Sequence, residues 1–152
     1  SYFCSGGSEA VETALKLGAD AVINTSEDDA GARASQLTDG RGFDYVIEAV
    51  GDNDLINLSL RLVAKGGCVN LYGALPTQEL KLEWVRNGRN WWIKYPNTRE
   101  ADVHEAALSY WKHGLAGVEE LVTHRMRFEE IEEALRLIRK REAYKISLDF
   151  AG

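Results

Sequence analysis

Residues 43–73, FDYVIEAVGDNDLINLSLRLVAKGGCVNLYG, constrain the fold of this 152-residue chain more than any other stretch. Two short apolar runs, Tyr45-Val46-Ile47-Glu48-Ala49-Val50 and Cys68-Val69-Asn70-Leu71-Tyr72, are rich in β-branched and aromatic residues, and each closes on a glycine, Gly51 and Gly73. Such runs favour strands. Between them Leu55, Ile56, Leu58, Leu60, Leu62 and Val63 fit a helix with an apolar stripe. Lys65-Gly66-Gly67 is expected to end it, with a cation for the negative helix end and glycines for a left-handed exit. Strand, helix, strand with tight turns is a βαβ crossover, so the two strands lie parallel in a buried sheet. Ligands of such sheets bind outside the carboxyl ends of the strands. Here those ends are residues 49–52 and 72–74, where the function is expected to sit.

The rest of the chain repeats this grammar. Tyr2–Ser5 reads as a strand, followed by Gly6-Gly7 and a helix capped by Ser8, with Val11, Ala14, Leu15 and Leu17 apolar and Gly18 as stop. Ala21–Asn24 is a second short strand. Ser26, Asp28 and Asp29 open a helix running to about Leu37, whose thin apolar face of alanines is expected to lie loosely on the sheet. Past Gly73, Pro76 marks a loop, residues 82–86 suggest a helical turn, and residues 89–94 a last strand carrying Trp91, Trp92 and Ile93. Helices are expected at 102–113 and 129–141, with extended segments at 121–128 and 145–150. Alternating strands and helices specify an α/β domain with a largely parallel sheet.

Composition excludes more than it identifies. Apolar runs are only strand-sized, so no membrane span is expected, and Tyr2-Phe3-Cys4 is too short for a signal core. A net charge of -6, with no basic face, argues against nucleic acid. Cys4 and Cys68 lack CxxC spacing and read as buried, reduced thiols of a cytoplasmic protein. His104, His113 and His124 have no ligand spacing, so no metal site is expected within the chain, and no catalytic residue is assigned. Glu48 is expected to be paired or at the sheet rim.

Four stretches in consistent order, EAVETALKLGADAVIN, GFDYVIEAVG, LVAKGGCVNLYGA and LVTHRMRFEEIEEALRLI, resemble the C-terminal half of medium-chain dehydrogenases/reductases. VIEAVG leans toward the zinc-dependent alcohol and polyol dehydrogenase branch. The resemblance covers most of residues 9–150 and implies a Rossmann-like parallel sheet with flanking helices. It makes residues 1–152 a partial coenzyme-binding domain, the segment after about 115 resembling the family's return to its catalytic domain. The implied activity is hydride transfer between a nicotinamide coenzyme, NADP or NAD, and a small alcohol or carbonyl substrate.

Carried over by position, Val50, Gly51 and Asp52 approach the coenzyme riboses, Tyr72, Gly73 and Ala74 hold the nicotinamide carboxamide, and Lys145 supplies a base near the pyrophosphate. Ser5 stands thirteen positions before Gly18, where NAD-using relatives place a ribose-binding acid. With Ser5 and Gly6 there instead, no carboxylate opposes a 2′-phosphate, which favours NADP. The resemblance also implies a homo-oligomer, joined edge to edge through the strand near Trp91, Trp92 and Ile93.

The family's first strand and Gly-rich turn have no counterpart, since nothing reads G-x-G-x-x-G, and zinc is expected only in a catalytic domain that this sequence does not contain. A doubly wound sheet has its first strand at the centre. Three arrangements answer that gap: a piece of a longer enzyme, a sheet rearranged so that Tyr2–Ser5 takes the central place, or another chain filling it. The first is preferred, and such a piece is expected to be inactive alone. The alternative function is a non-catalytic Rossmann-like remnant kept for nucleotide binding or subunit association.

Overall fold

The computed structural model describes residues 1–5, 8–74, 79–83, 90–95, 99–114, 117–140 and 142–150. It forms two compact units, Ser1–Thr98 and Arg99–Gly152. No helix among the described residues is long and apolar enough to cross a membrane.

The first unit opens with strand β1 (Tyr2–Ser5), helix α1 (Ser8–Lys16) and strand β2 (Ala21–Asn24). β1 and β2 pair in parallel, from Tyr2 opposite Ala21 to Ser5 opposite Asn24. Helix α2 spans Ala30–Leu37 and starts later than Ser26, because Asp29 is its N-cap and accepts from the Ala32 amide at 2.7 Å. The preceding residues are a turn tied to Asn24, whose carbonyl accepts from Glu27 and Asp28. α2 is not loosely laid. Ala34 is buried in one cluster with Ile23 and Leu62, and its small side chain lets the helix approach closely.

Strand β3 (Phe43–Glu48), helix α3 (Asn53–Leu62) and strand β4 (Val63–Leu71) are the expected crossover, and strand β5 (Trp92–Lys94) pairs beyond β4. All three strands are parallel, in the order β3-β4-β5. The helix ends earlier than expected. β4 begins at Val63, and Lys65, Gly66 and Gly67 lie within it, in a bulge where Phe43 and Tyr45 face Val63 and Cys68. Val63 and Ala64 are buried apolar residues of extended backbone, so packing overrides the helical stripe that Val63 completes. Ile56, Leu60, Val63, Val69 and Leu71 form the core, with Val46, Trp91 and Ile93 against it. The buried Asn57 amide donates to the Asn53 and Lys81 carbonyls and its oxygen accepts from the Glu83 amide, holding residues 81–83 along α3. Leu82 and Glu83 have no helical assignment, and the remainder of the turn expected at 82–86 lies outside the described residues.

β1 and β3 belong to different sheets. The rearrangement that pairs Tyr2–Ser5 beside Tyr45 is therefore not adopted; the Tyr2 and Phe43 rings meet 4.9 Å apart instead. Cys68 is buried, but Cys4 is exposed, correcting the expectation of two interior thiols. A four-residue strand paired on one side in a two-stranded sheet leaves that side chain uncovered. Partial burial still pushes the Cys4 thiol above its ordinary value.

The second unit contains helix α4 (Glu100–Lys112), a 3₁₀ turn (Val118–Leu121), strand β6 (Val122–Arg127), a 3₁₀ turn (Phe128–Glu130), helix α5 (Ile131–Arg139) and strand β7 (Lys145–Asp149). β6 and β7 pair in parallel. α5 leads with acids and trails with bases, as its dipole favours. The Arg136 guanidinium beside Glu133 holds that carboxyl below the usual carboxylate range. α4 has no buried residue; Val103, Tyr110 and Trp111 on its expected apolar side are exposed.

Candidate functional site

The carboxyl ends of β3 and β4 meet in a pair of interlocked turns. The Tyr72 and Gly73 amides both donate to the Glu48 carbonyl, at 2.8 and 2.9 Å, beyond the last ladder pair of Glu48 with Leu71. This draws residues 72–74 onto residues 50–51. The approach is as close as main chain permits: a Cβ on Gly73 would lie 2.1 Å from the Gly51 nitrogen, and one on Gly51 2.1 Å from the Ala74 carbonyl oxygen. Gly51 also has φ +85°, a conformation that side chains disfavour.

Beneath the turns is the Glu48 carboxylate, 4% exposed. One of its oxygens accepts from the Val50 amide at 2.8 Å and the Gly51 amide at 2.9 Å, and the other accepts from Gly51 at 3.0 Å. Glu48 is thus paired, as the sequence suggested, but with main chain rather than with a base. Its signal in the sequence is a charge two positions from Val46 on the inward face of an apolar strand, just ahead of a glycine turn. Asp52 follows as the N-cap of α3, its side chain accepting from the Asp54 and Leu55 amides at 2.9 and 3.1 Å. That bond fixes where the helix starts and commits the oxygen that does the capping.

Among the residues singled out by position, Val50, Gly51, Tyr72, Gly73 and Ala74 come together here, with Asp52 adjoining. The side chains of Val50, Asp52, Tyr72 and Ala74 are exposed, whereas Gly51 and Gly73 are buried. Ser5 ends β1, half-buried, and its carbonyl accepts from the Thr25 amide at 2.9 Å. Gly6 lies outside the described residues. Lys145 opens β7 in the second unit, exposed, its carbonyl accepting from the Thr123 hydroxyl at 3.3 Å. Among the described residues no group of three His, Cys, Asp or Glu side chains is placed to hold a metal ion.

What the arrangement can do chemically is bind and orient. Two turns with locked backbones sit at the carboxyl ends of adjacent parallel strands, the position at which such sheets hold ligands. The Val50 and Gly51 amides are already taken by Glu48, so an anionic group finds no free donor on either.

Residues 2–94 match the zinc-binding dehydrogenase family. L-threonine 3-dehydrogenase of Symbiobacterium thermophilum is 30% identical over 151 residues, covering 91% of this chain and 40% of that protein. Sorbitol dehydrogenase of Bacillus subtilis is 27% identical over 125 residues, covering 82% of this chain and 35% of that protein. The solved alcohol dehydrogenase TADH from Thermus sp. ATN1 superimposes with a TM-score of 0.87 at 25% identity, over 95% of this chain and 43% of that one. The chain therefore spans well under half the length of these relatives. With more than half of its residues matched, it belongs to the zinc-binding dehydrogenase family, in the zinc-dependent branch of the medium-chain dehydrogenases/reductases.

Proposed function

We propose that this chain is the coenzyme-side portion of an NAD(P)-dependent oxidoreductase acting on an alcohol or carbonyl substrate. The observation that carries the reading is the interlocked pair of turns at residues 50–52 and 72–74, held rigid by Glu48 and by the contact of Gly51 with Gly73. Fixed backbone at strand ends suits a flat, amide-bearing ring, which is recognised by orientation more than by charge. The coenzyme, when bound, supplies or accepts the hydride. The chain's part is to hold the riboses over Val50, Gly51 and Asp52 and the carboxamide against Tyr72, Gly73 and Ala74. Lys145 offers a cation for the pyrophosphate, and the segment after about 115 leads back toward a catalytic domain whose residues would hold zinc. In this reading the protein works in the cytoplasm.

Titration of the chain with NADP and NAD, followed by amide shifts of Val50, Gly51, Tyr72, Gly73 and Ala74, tests the reading. Shifts centred on those residues support it. Shifts confined elsewhere, or binding that leaves them unmoved, favour the non-catalytic remnant. NADP is expected to bind more tightly than NAD, since Ser5 presents no carboxylate to a 2′-phosphate. Ser5→Asp adds that charge and a ribose acceptor, and should move the ratio of the two dissociation constants about tenfold toward NAD. An unchanged ratio would show that Ser5 does not read the ribose.

Two copies of the chain are expected to pair through β5. Trp91 and Ile93 pack on the core, whereas Trp92, on the opposite face of the strand, is 71% exposed. Among the described residues β5 is the outer strand of its sheet, and an outer strand beside a large exposed aromatic is a template for pairing. Trp92→Lys leaves the core face untouched and should shift a dimer to monomer at micromolar concentration in sedimentation. A native chain already monomeric there would end the proposal.

A further inference from the structure

Glu48 is the one buried carboxylate among the described residues, and its cost needs a reason. The other buried polar side chains, Asn57 and Ser59, are neutral and join segments or cap helical carbonyls. A turn can be pinned by a neutral acceptor of similar length. A carboxylate there pays a larger desolvation penalty for the same hydrogen bonds. Both of its oxygens accept from main-chain amides, as the oxygens of a carboxylate can.

The charge sits directly under the turns. It is bonded to Val50 and Gly51, and Gly51 touches residues 73–74. Asp52 and Asp54 at the start of α3 add negative charge of the same sign, opposed by the positive end of that helix. An oxidised nicotinamide ring carries a positive charge, and the reduced ring carries none.

We propose that Glu48, while pinning the turn, biases the site toward oxidised over reduced nicotinamide through its buried charge. The proposal rests on the coenzyme reading above. It makes Glu48 a positioning residue whose effect differs between the two redox forms of one ligand. A merely structural role would alter both forms alike.

Oxidised and reduced nicotinamide mononucleotide are the suitable probes, because they present the ring and one ribose without needing a pyrophosphate turn. Each is titrated into the native chain, Glu48→Gln and Glu48→Asp, followed by amide shifts of residues 50–52 and 72–74, with thermal unfolding measured alongside. The native chain should prefer the oxidised form. Glu48→Gln should lower that preference about two- to tenfold. Glu48→Asp, which keeps the charge but shortens the reach, should weaken both forms and preserve their ratio. An unchanged ratio in Glu48→Gln overturns the proposal but leaves the coenzyme reading standing. If Glu48→Gln does not fold, a ratio that collapses in Glu48→Asp overturns it equally. A native chain that shifts with neither probe removes the coenzyme reading, and this proposal with it.

Discussion

Gly51→Ala is expected to destabilise the Ser1–Thr98 unit by about 3 kcal/mol or more, the sum of two separate penalties. The first is conformational. Gly51 has φ +85°, where a side chain costs about 1–2 kcal/mol. The second is steric: the new methyl would lie 2.1 Å from the Ala74 carbonyl oxygen, and that atom is main chain. The neighbouring turn cannot swing aside without breaking the Tyr72 and Gly73 bonds to the Glu48 carbonyl. Gly18→Ala is the control, since Gly18 has φ +93° with nothing within 4 Å of a Cβ, so it carries the first penalty alone. Gly73→Ala carries the steric penalty, with its methyl 2.1 Å from the Gly51 nitrogen. Urea unfolding should therefore rank both site variants below Gly18→Ala. If Gly51→Ala unfolds within about 1 kcal/mol of Gly18→Ala, the turns are not locked as described.

The second large effect is a null rate: the pure 152-residue chain should turn over no alcohol with NADP or NAD. Hydride transfer in an enzyme of this family needs the substrate oxygen polarised and the ring held at a fixed distance from it. Among the described residues no metal-holding group exists, and the sequence has no G-x-G-x-x-G to anchor a pyrophosphate. In the proposed reading, what remains is an orienting surface. Binding without turnover is thus the expected pair of results, and it separates a coenzyme-side portion from a complete catalyst. Measurable oxidation of any alcohol by the pure chain, above a Glu48→Ala preparation purified identically, would sink this expectation.

Much of the architecture is legible locally. Ala21–Asn24 matches its expected bounds because a short β-branched run closed by polar residues has few other uses. The crossover of β3, α3 and β4 follows from period-two and period-3.6 patterning on either side of a glycine turn. The order of motifs sufficed for the family: three of the four stretches lie within residues 2–94, the part that matches the family. Alternation sends Trp91 and Trp92 to opposite faces, but only the structure decides that Trp91 packs on the core and Trp92 is exposed.

Other features depend on contacts between distant residues, and no local pattern encodes them. Val63 completes an apolar helical stripe, yet it starts β4, because extended backbone buries it in the core and lets the Gly67 position approach the Asp44 carbonyl. The sequence marked Gly51 and Gly73 as turn residues; only folding brings these two turns into main-chain contact. Glu48 shows the same division. Its charge on an inward strand position is visible in the sequence, but only the tertiary structure decides its partners: the amides of the turn that follows, which curl back over the strand end and satisfy a buried charge that would otherwise be expelled.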